Sequence, residues 1–197
     1  MNCFNDQTFE VFEIAGLAPR MAAIRSEIQP IFSEIMGDVA ERLTAVTGQA
    51  CFVHIAQHRR RTKYAPESTW SAISDHKKGY KSQAHLQLGI WPDYVFIYLA
   101  IIDNPPKRTD YANYLAAHQS FPDDFVYSLD HTKADVFPVT EGLAAGIQRL
   151  HDVKKGELEI GRIIPRDSEI WQNAPRDYIL ATFEALFPLY QALNETR

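Results

Sequence analysis

Histidine, arginine and lysine side chains are concentrated in one stretch of the sequence, between residues 54 and 87. Residues 54–81 contain seven Lys or Arg and two acids, a net charge of +5. The whole chain carries −5, so the other residues, with 13 basic and 23 acidic side chains, carry −10. A basic segment on an acidic body focuses a local positive potential. This distribution predicts a site for a small anion. The alternative is that the charges only solvate surface loops.

The residue types in this stretch suit phosphate or carboxylate groups. Arg60 and Arg61 can each form bidentate hydrogen bonds, and Lys81 can act as a point charge. Imidazole and amide groups nearby can donate to ligand oxygens, although each histidine could instead satisfy a local backbone or carboxylate partner. We predict a ligand-binding groove on the polar face of a sheet, lined by the following residues: His54, His58, Arg60, Arg61, Lys81, His85, Gln87, His131, Lys133 and Glu157.

A second interpretation is an enzyme of unknown reaction. Asp130, His131 and Glu157 could serve as acid–base groups beside the cations, as in phosphoryl or acyl transfer. Asp130 and His131 are a weak pair, because neighbours in a strand point to opposite faces. The sequence contains no GxSxG, Walker loop, HExxH or phosphate-cradling glycine run. Anion binding is therefore the leading prediction, and an enzyme is the alternative.

The histidine spacing does not predict a metal centre. His54 and His58 would share one face of a helix, but in a strand they are about 13 Å apart. An ion held by His85, His131 and Glu157 is conceivable, yet their spacing matches no metal motif. We predict no metal site, and the sequence indicates no particular cofactor.

Aromatic residues lie among the cations and allow a further interpretation. Tyr64, Trp70 and Tyr80 could stack unpaired bases while the charges follow a nucleic-acid backbone. The acidic remainder of the chain would repel a long duplex, so the partner would be a short single strand. A protein-interaction module is another alternative, and it would require an exposed apolar patch.

Length and composition favour one cytoplasmic domain over residues 1–197. A chain of 197 residues can bury a sizeable core without staples. Its two cysteines, Cys3 and Cys51, form neither a disulfide framework nor a CxxC pair. The sequence has no signal-peptide pattern and no apolar run near the ~20 residues that a spanning helix needs. We expect a cytoplasmic protein with no membrane partner.

Two central strands position the predicted groove. In residues 84–91 apolar and polar side chains alternate, which is typical of a strand with one polar face. Residues 94–102 are apolar throughout, which favours a strand covered on both sides. Trp91-Pro92-Asp93 joins the two as a hairpin. Further strands are predicted at 50–58, 125–130 and 157–164. Residues 59–66 are predicted as a loop, and residues 68–74 as a short strand or a turn.

Apolar spacings of three and four residues predict the helices. A helix starting at Pro19 is expected to kink or break at Pro30 and to end at Gly48. Further helices are expected to begin at the following positions: Thr109 or Asp110 as a cap, Thr140, and Pro175. Helices and strands occur in blocks rather than in strict alternation, so we predict a single α+β domain with a mostly antiparallel sheet.

Short matches within the chain suggest an internal duplication. Residues 52–58 resemble 125–131, and residues 85–89 resemble 157–161, at offsets of 73 and 72. A duplicated helix-plus-strands unit would relate these segments by a pseudo-twofold axis. His58 would then be equivalent to His131, and His85 to Glu157, and all four could approach a shared groove.

Four segments together resemble the YktB-like family of uncharacterised bacterial proteins: His54–Arg61, Lys78–Trp91, Asp130–Lys133 and Val153–Glu157. The resemblance spans nearly the whole chain, from Phe9 to the last helix. It implies a small cytoplasmic α+β protein with a coiled sheet flanked by helices, and it implies no reaction. The positions that match the family motif are His54, His58, Arg60, Arg61, Trp70, Gly79, Tyr80, Lys81, His85, Gln87, Asp130, His131, Lys133 and Glu157. This chain departs from the family pattern at Lys78, Ala84 and Gly156, and none of these changes removes a titratable group from the predicted groove.

Overall fold

Seven strands form one antiparallel sheet at the centre of the fold. The computed structural model describes residues 3–118 and 120–195. The spatial order of the strands is β1-β2-β3-β4-β7-β5-β6. Their bounds are β1 Phe52–Ile55, β2 Thr69–Ser74, β3 His85–Ile90, β4 Tyr94–Ile101, β5 Val126–Ser128, β6 Phe137–Pro138 and β7 Leu158–Pro165. The predicted α+β class and antiparallel sheet are confirmed.

One face of the sheet is apolar and is covered by helices. The strand register aligns Leu86, Leu99 and Ile160 across β3, β4 and β7. All three side chains are buried in the main core. The long helices α3 (Gln29–Thr47) and α6 (Pro175–Glu195) pack against the sheet and contribute to the same core. Every residue of β4 is buried, which explains its continuous apolar sequence.

Shorter helices surround this core, and their bounds are α1 Asp6–Glu10, α2 Leu17–Ala23, α4 Arg108–Ala117 and α5 Leu143–Asp152. The predicted break near Pro30 is present, because a π-helical turn at Ile24–Ile28 separates α2 from α3. Pro30 lies in the first turn of α3, where its missing N–H removes no helical hydrogen bond. Helix α3 ends at Gly48 in the left-handed conformation, as predicted.

None of the helices in the described ranges is long and apolar enough to cross a lipid bilayer.

Three predicted boundaries are wrong, and one of them shapes the site. Helix α5 begins at Leu143 instead of Thr140. β1 ends at Ile55, and the chain then turns so that His58 has a φ of 48°. Helix α4 begins at Arg108 without a side-chain cap, so Thr109 and Asp110 lie inside the helix. The early end of β1 places His58 in the same loop as the arginines that follow it, instead of in the strand.

The strand order does not reproduce the internal repeat. β2 separates β1 from β3, whereas β5 pairs directly with β7. The two strands of the first half are therefore separated by another strand, whereas the matching strands of the second half are direct neighbours.

The opposite face of the sheet is polar and aromatic. It carries the buried side chains of His85, Gln87 and Glu159. A separate aromatic cluster lies on this face and consists of Trp91, Tyr94, Phe96 and Tyr98. Loops cover this side, and the hydroxyl of Tyr94 donates to the carbonyl of Ala134 at 2.8 Å. This face, and not the helical one, supports the candidate site.

Candidate functional site

A groove of about 580 Å³ opens on the polar side of the sheet, where several loops meet. The loop after β1 contributes His58 and three consecutive arginines, Arg59–Arg61. Other groove residues come from distant parts of the chain and include Trp70, Tyr80, Lys81, Asp103 and His131. Of the residues predicted from sequence, His58, Arg60, Arg61, Lys81 and His131 line this groove.

The three consecutive arginines are exposed and face the groove without carboxylate partners. Within residues 3–118 and 120–195, none of Arg59–Arg61 forms an ion pair. Arg61 contacts the backbone carbonyl of Ala65 at 3.5 Å. Some arginines elsewhere are paired with acids, as Arg162 is with an aspartate at 2.6 Å and Arg176 with one at 2.5 Å. The groove arginines are therefore available to an external anion.

His58 lies between the arginines and the sheet. Its Nε2 atom is 3.0 Å from the hydroxyl of Thr69. Burial lowers the pKa of His58 to about 4, and the nearby charge of Arg61 adds to this lowering. The imidazole is thus neutral at physiological pH. Its φ of 48° is unusual for a residue other than glycine, and such strained backbone is enriched at functional sites.

Trp70 and Tyr80 form an aromatic wall of the groove. The indole N–H of Trp70 donates to the hydroxyl of Tyr80 at 2.8 Å. The Trp70 ring makes T-shaped contacts with the rings of His58 and His131, whose centroids lie 5.6 and 6.3 Å from the Trp70 centroid. This wall links the arginine loop to the residues at the other end of the groove.

His131 and Glu157 form a hydrogen-bonded pair at the groove. The Nδ1 atom of His131 lies 2.7 Å from a carboxylate oxygen of Glu157. Glu157 also accepts the backbone N–H groups of Asp103 at 3.0 Å and His131 at 3.1 Å. Burial acts to raise the pKa of Glu157, but the hydrogen bond from His131 and the backbone N–H groups lower it overall. Burial alone would lower the pKa of His131, and its contact with Glu157 raises it instead.

Asp103 was not predicted as a site residue, yet it lies on the groove wall at the end of β4. Its carboxylate pairs with the ammonium group of Lys81. Burial alone would raise the pKa of Asp103, but the contact with Lys81 lowers it overall. Asp103 and Asn104 have φ values of 57° and 55°. The Asp-Asn-Pro-Pro sequence is the signal that could have indicated this sharp turn, since Asp and Asn tolerate the left-handed region.

Glu159 is a second carboxyl group that sequence reasoning missed. It lies two residues after Glu157 and therefore on the same face of the chain. Its side chain is 4% exposed. Burial raises the pKa of Glu159 to about 8, so this carboxyl group is mostly protonated at pH 7. The signal in the sequence was that Glu159 lies two positions after Glu157 in the predicted strand 157–164, and so on the same face as Glu157.

His85 and Gln87 were predicted to face the ligand, but the structure buries both beneath the groove. The Nδ1 atom of His85 lies 2.9 Å from the carbonyl oxygen of Gln83. Its Nε2 atom lies 2.9 Å from the side-chain nitrogen of Gln87. The imidazole is therefore satisfied by neighbouring residues, and the ring of Tyr80 covers it at 4.7 Å. Neither His85 nor Gln87 is among the described residues that line the groove.

The remaining predicted residues lie beside the groove. His54 is 3.0 Å from the carbonyl oxygen of His76. Lys133 is exposed and lies 3.7 Å from Asp130. Asp130 itself accepts the backbone N–H and the hydroxyl of Thr132, at 3.0 and 2.6 Å. Asp130 thus closes the turn that presents His131.

Comparison with known proteins places the chain among bacterial relatives. Residues 4–190 match the family described as "Domain of unknown function (DUF1054)". The chain is 52% identical to a UPF0637 protein of Enterococcus faecalis over 97% of this chain and 98% of that protein. It is 50% identical to the UPF0637 protein YsbB of Lactococcus lactis, over 98% of this chain and 99% of that protein. A UPF0637 protein of Listeria monocytogenes is 38% identical over 96% of both chains. The resemblance predicted from the sequence is confirmed, and the chain belongs to the DUF1054 family.

Proposed function

We propose that the groove binds a small anionic ligand that carries a phosphate or carboxylate group. The observation that carries this proposal is the set of three consecutive, exposed arginines, Arg59–Arg61, that line the groove and have no ionic partner in the described chain. Unpaired guanidinium groups in a concave site suit bidentate recognition of phosphate or carboxylate.

The dimensions and walls of the groove support a small ligand. A volume of about 580 Å³ is within the ordinary range for small-molecule sites. Trp70 and Tyr80 provide an apolar surface for the body of a ligand, while the arginines provide its charge partners. The arginines of the groove belong to the segment 54–81, whose net charge of +5 favours an anion at this place.

A short single-stranded nucleic acid is a weaker candidate. Tyr64 is 70% exposed and does not line the groove, and the ammonium group of Lys63 lies 5.0 Å from its ring. The three aromatic residues considered for base stacking therefore do not form one continuous platform.

An acid–base enzyme is the second candidate function, and the His131–Glu157 pair favours it. Glu157 fixes the imidazole through Nδ1, and His131 is itself a groove residue. A carboxylate-oriented imidazole is the usual arrangement of a general base. Asp130 would take no part in proton transfer, because its carboxylate stabilises the turn at Thr132.

We also propose that the protein acts in the cytoplasm. Cys3 and Cys51 are both free thiols, which is the state that a reducing compartment maintains.

A thermal-shift assay at one fixed ionic strength tests the proposal. The probes are sodium phosphate, a nucleoside monophosphate, a short oligouridylate and sodium chloride as the ionic control. We expect stabilisation by the phosphate-bearing small molecules through mass action. The Arg60→Ala/Arg61→Ala variant should lose it, and Arg25→Ala, which removes an exposed arginine outside the groove, should retain it. Stabilisation only by oligouridylate would favour nucleic acid, and equal behaviour of both variants would reject the groove.

A further inference from the structure

Three metal-ligating side chains converge at the end of the groove from separate segments of the chain. Asp103 follows β4, His131 lies in the turn after β5, and Glu157 precedes β7. One donor atom from each residue lies within 4.8 Å of the donors of the other two. Donors that share a first-row divalent ion at about 2.1 Å are separated by roughly 3–4 Å. Small side-chain rotations would therefore bring all three onto one ion.

Backbone contacts hold one of the three ligands, Glu157, so the cluster is not only a chance meeting of flexible surface acids. Glu157 is fixed by the backbone N–H groups of Asp103 and His131. The side chains of His131 and Glu157 are 17% and 13% exposed. Asp103 has a left-handed backbone conformation, so the chain turns sharply after β4. The two hydrogen bonds to Glu157 tie this ligand to the segments that carry Asp103 and His131.

Glu159 adds a further carboxyl group beside the cluster. This residue is 4% exposed. It lies on the same side of the chain as Glu157 and interacts electrostatically with both Glu157 and His131. A divalent ion held by the three ligands would therefore have a fourth carboxyl or imidazole side chain close to it.

We propose that Asp103, His131 and Glu157 bind a divalent transition-metal ion such as Mn²⁺ or Zn²⁺, with Glu159 as the adjoining carboxyl group. A mixed imidazole and carboxylate set suits these ions better than Ca²⁺, which prefers oxygen donors throughout. Asp103 and His131 also line the groove. The open coordination positions of the ion therefore face the space in which a small anion would lie.

Lys81 competes with the ion. Its ammonium group contacts Asp103, and its side chain is 43% exposed and long enough to move toward the groove. An ammonium and a divalent ion repel each other at short range. Metal binding must therefore release Lys81 from Asp103, and removal of this lysine charge should strengthen metal binding.

Titration of the full-length protein with MnCl₂, after dialysis against EDTA, tests the inference. Isothermal titration calorimetry should give one saturable site. Asp103→Asn and His131→Gln should each weaken it by about tenfold or more. Lys81→Met should tighten it. Glu41→Gln, which removes one exposed negative charge on α3, should leave it unchanged.

A second measurement keeps the test decisive if a variant folds poorly. Electron paramagnetic resonance of Mn²⁺ bound to the unaltered protein should show hyperfine coupling to an imidazole nitrogen. Absence of saturable binding at millimolar MnCl₂, absence of nitrogen coupling, or equal affinity in well-folded Asp103→Asn would overturn the metal site. Phosphate binding measured in EDTA is a separate readout, so failure of the metal site would not be mistaken for failure of the anion groove.

Discussion

The buried imidazole of His85 should make the protein sensitive to mild acid. His85 is fully buried, with Nδ1 bonded to the Gln83 carbonyl and Nε2 bonded to the Gln87 amide. Because a carbonyl only accepts, the proton is on Nδ1, and Nε2 must accept from Gln87. A second proton on Nε2 would break that hydrogen bond inside the protein. Burial accordingly lowers the pKa of His85 to about 4 from its ordinary value of 6.5.

The size of the effect follows from this shift. The unfolded chain takes up a proton on His85 below pH 6.5, whereas the folded protein does so only near pH 4. Stability from this residue is therefore present above pH 6.5 and is lost as the pH falls through that window. At about 1.4 kcal/mol per pH unit, the total loss is about 3 kcal/mol.

Urea unfolding between pH 7.5 and 4.5 measures this loss. His85→Gln removes the titrating group, so its free energy of unfolding should depend less on pH than that of the unaltered protein. Leu88→Ala is the control, because it should lower stability by the same amount at every pH. Equal pH dependence in His85→Gln and the unaltered protein would refute the assigned hydrogen bonds of His85.

Three further substitutions test the packing of the sheet and the helices by urea unfolding. A Cβ atom at Gly89 would lie 2.0 Å from the ring of Phe96, so Gly89→Ala should cost about 1–3 kcal/mol by overpacking, and a neutral result would contradict the β3–β4 register. Leu88 is fully buried on the helical face, so Leu88→Ala should cost about 2–5 kcal/mol; no loss would contradict that assignment. Arg176 joins α6 to two acids of α3, so Arg176→Ala should destabilise by about 1–2 kcal/mol, and unchanged stability would mean that these ion pairs are solvated.

The sheet and its central hairpin were predictable because their patterns are local. Alternation in residues 84–91 and the continuous apolar sequence of β4 each reflect which faces are buried. The break before Pro30 and the end of α3 at Gly48 were predictable because each residue has a fixed backbone preference.

The candidate site was less accessible to sequence reasoning, because its geometry depends on loops and long-range contacts. The alternation through His58 favoured a strand, but this residue has a left-handed backbone and lies with the following arginines in a loop that lines the groove. His85 looked like a ligand because it occupies the polar face, and only the covering ring of Tyr80 shows that it is enclosed. Asp103 could not be assigned to the site because its partner Lys81 lies 22 positions away.

The internal repeat shows a similar limit. Two short sequence matches at nearly the same offset suggested that the matching strands were equivalent. In the sheet, however, β2 lies between β1 and β3, whereas β5 and β7 are direct neighbours. Short strands share β-branched and aromatic residues for reasons of packing, so similarity of this length does not determine their order in a sheet.

Calorimetric titration with inorganic phosphate tests the anion groove most directly. The measurement uses EDTA and a constant ionic strength, and it compares the unaltered protein with Arg60→Ala/Arg61→Ala and Arg25→Ala. We predict saturable binding that is lost in the double variant and kept in Arg25→Ala, because only the first pair lines the groove. Binding of equal strength in all three proteins, or no binding to any of them, would contradict the assignment of the groove as an anion site.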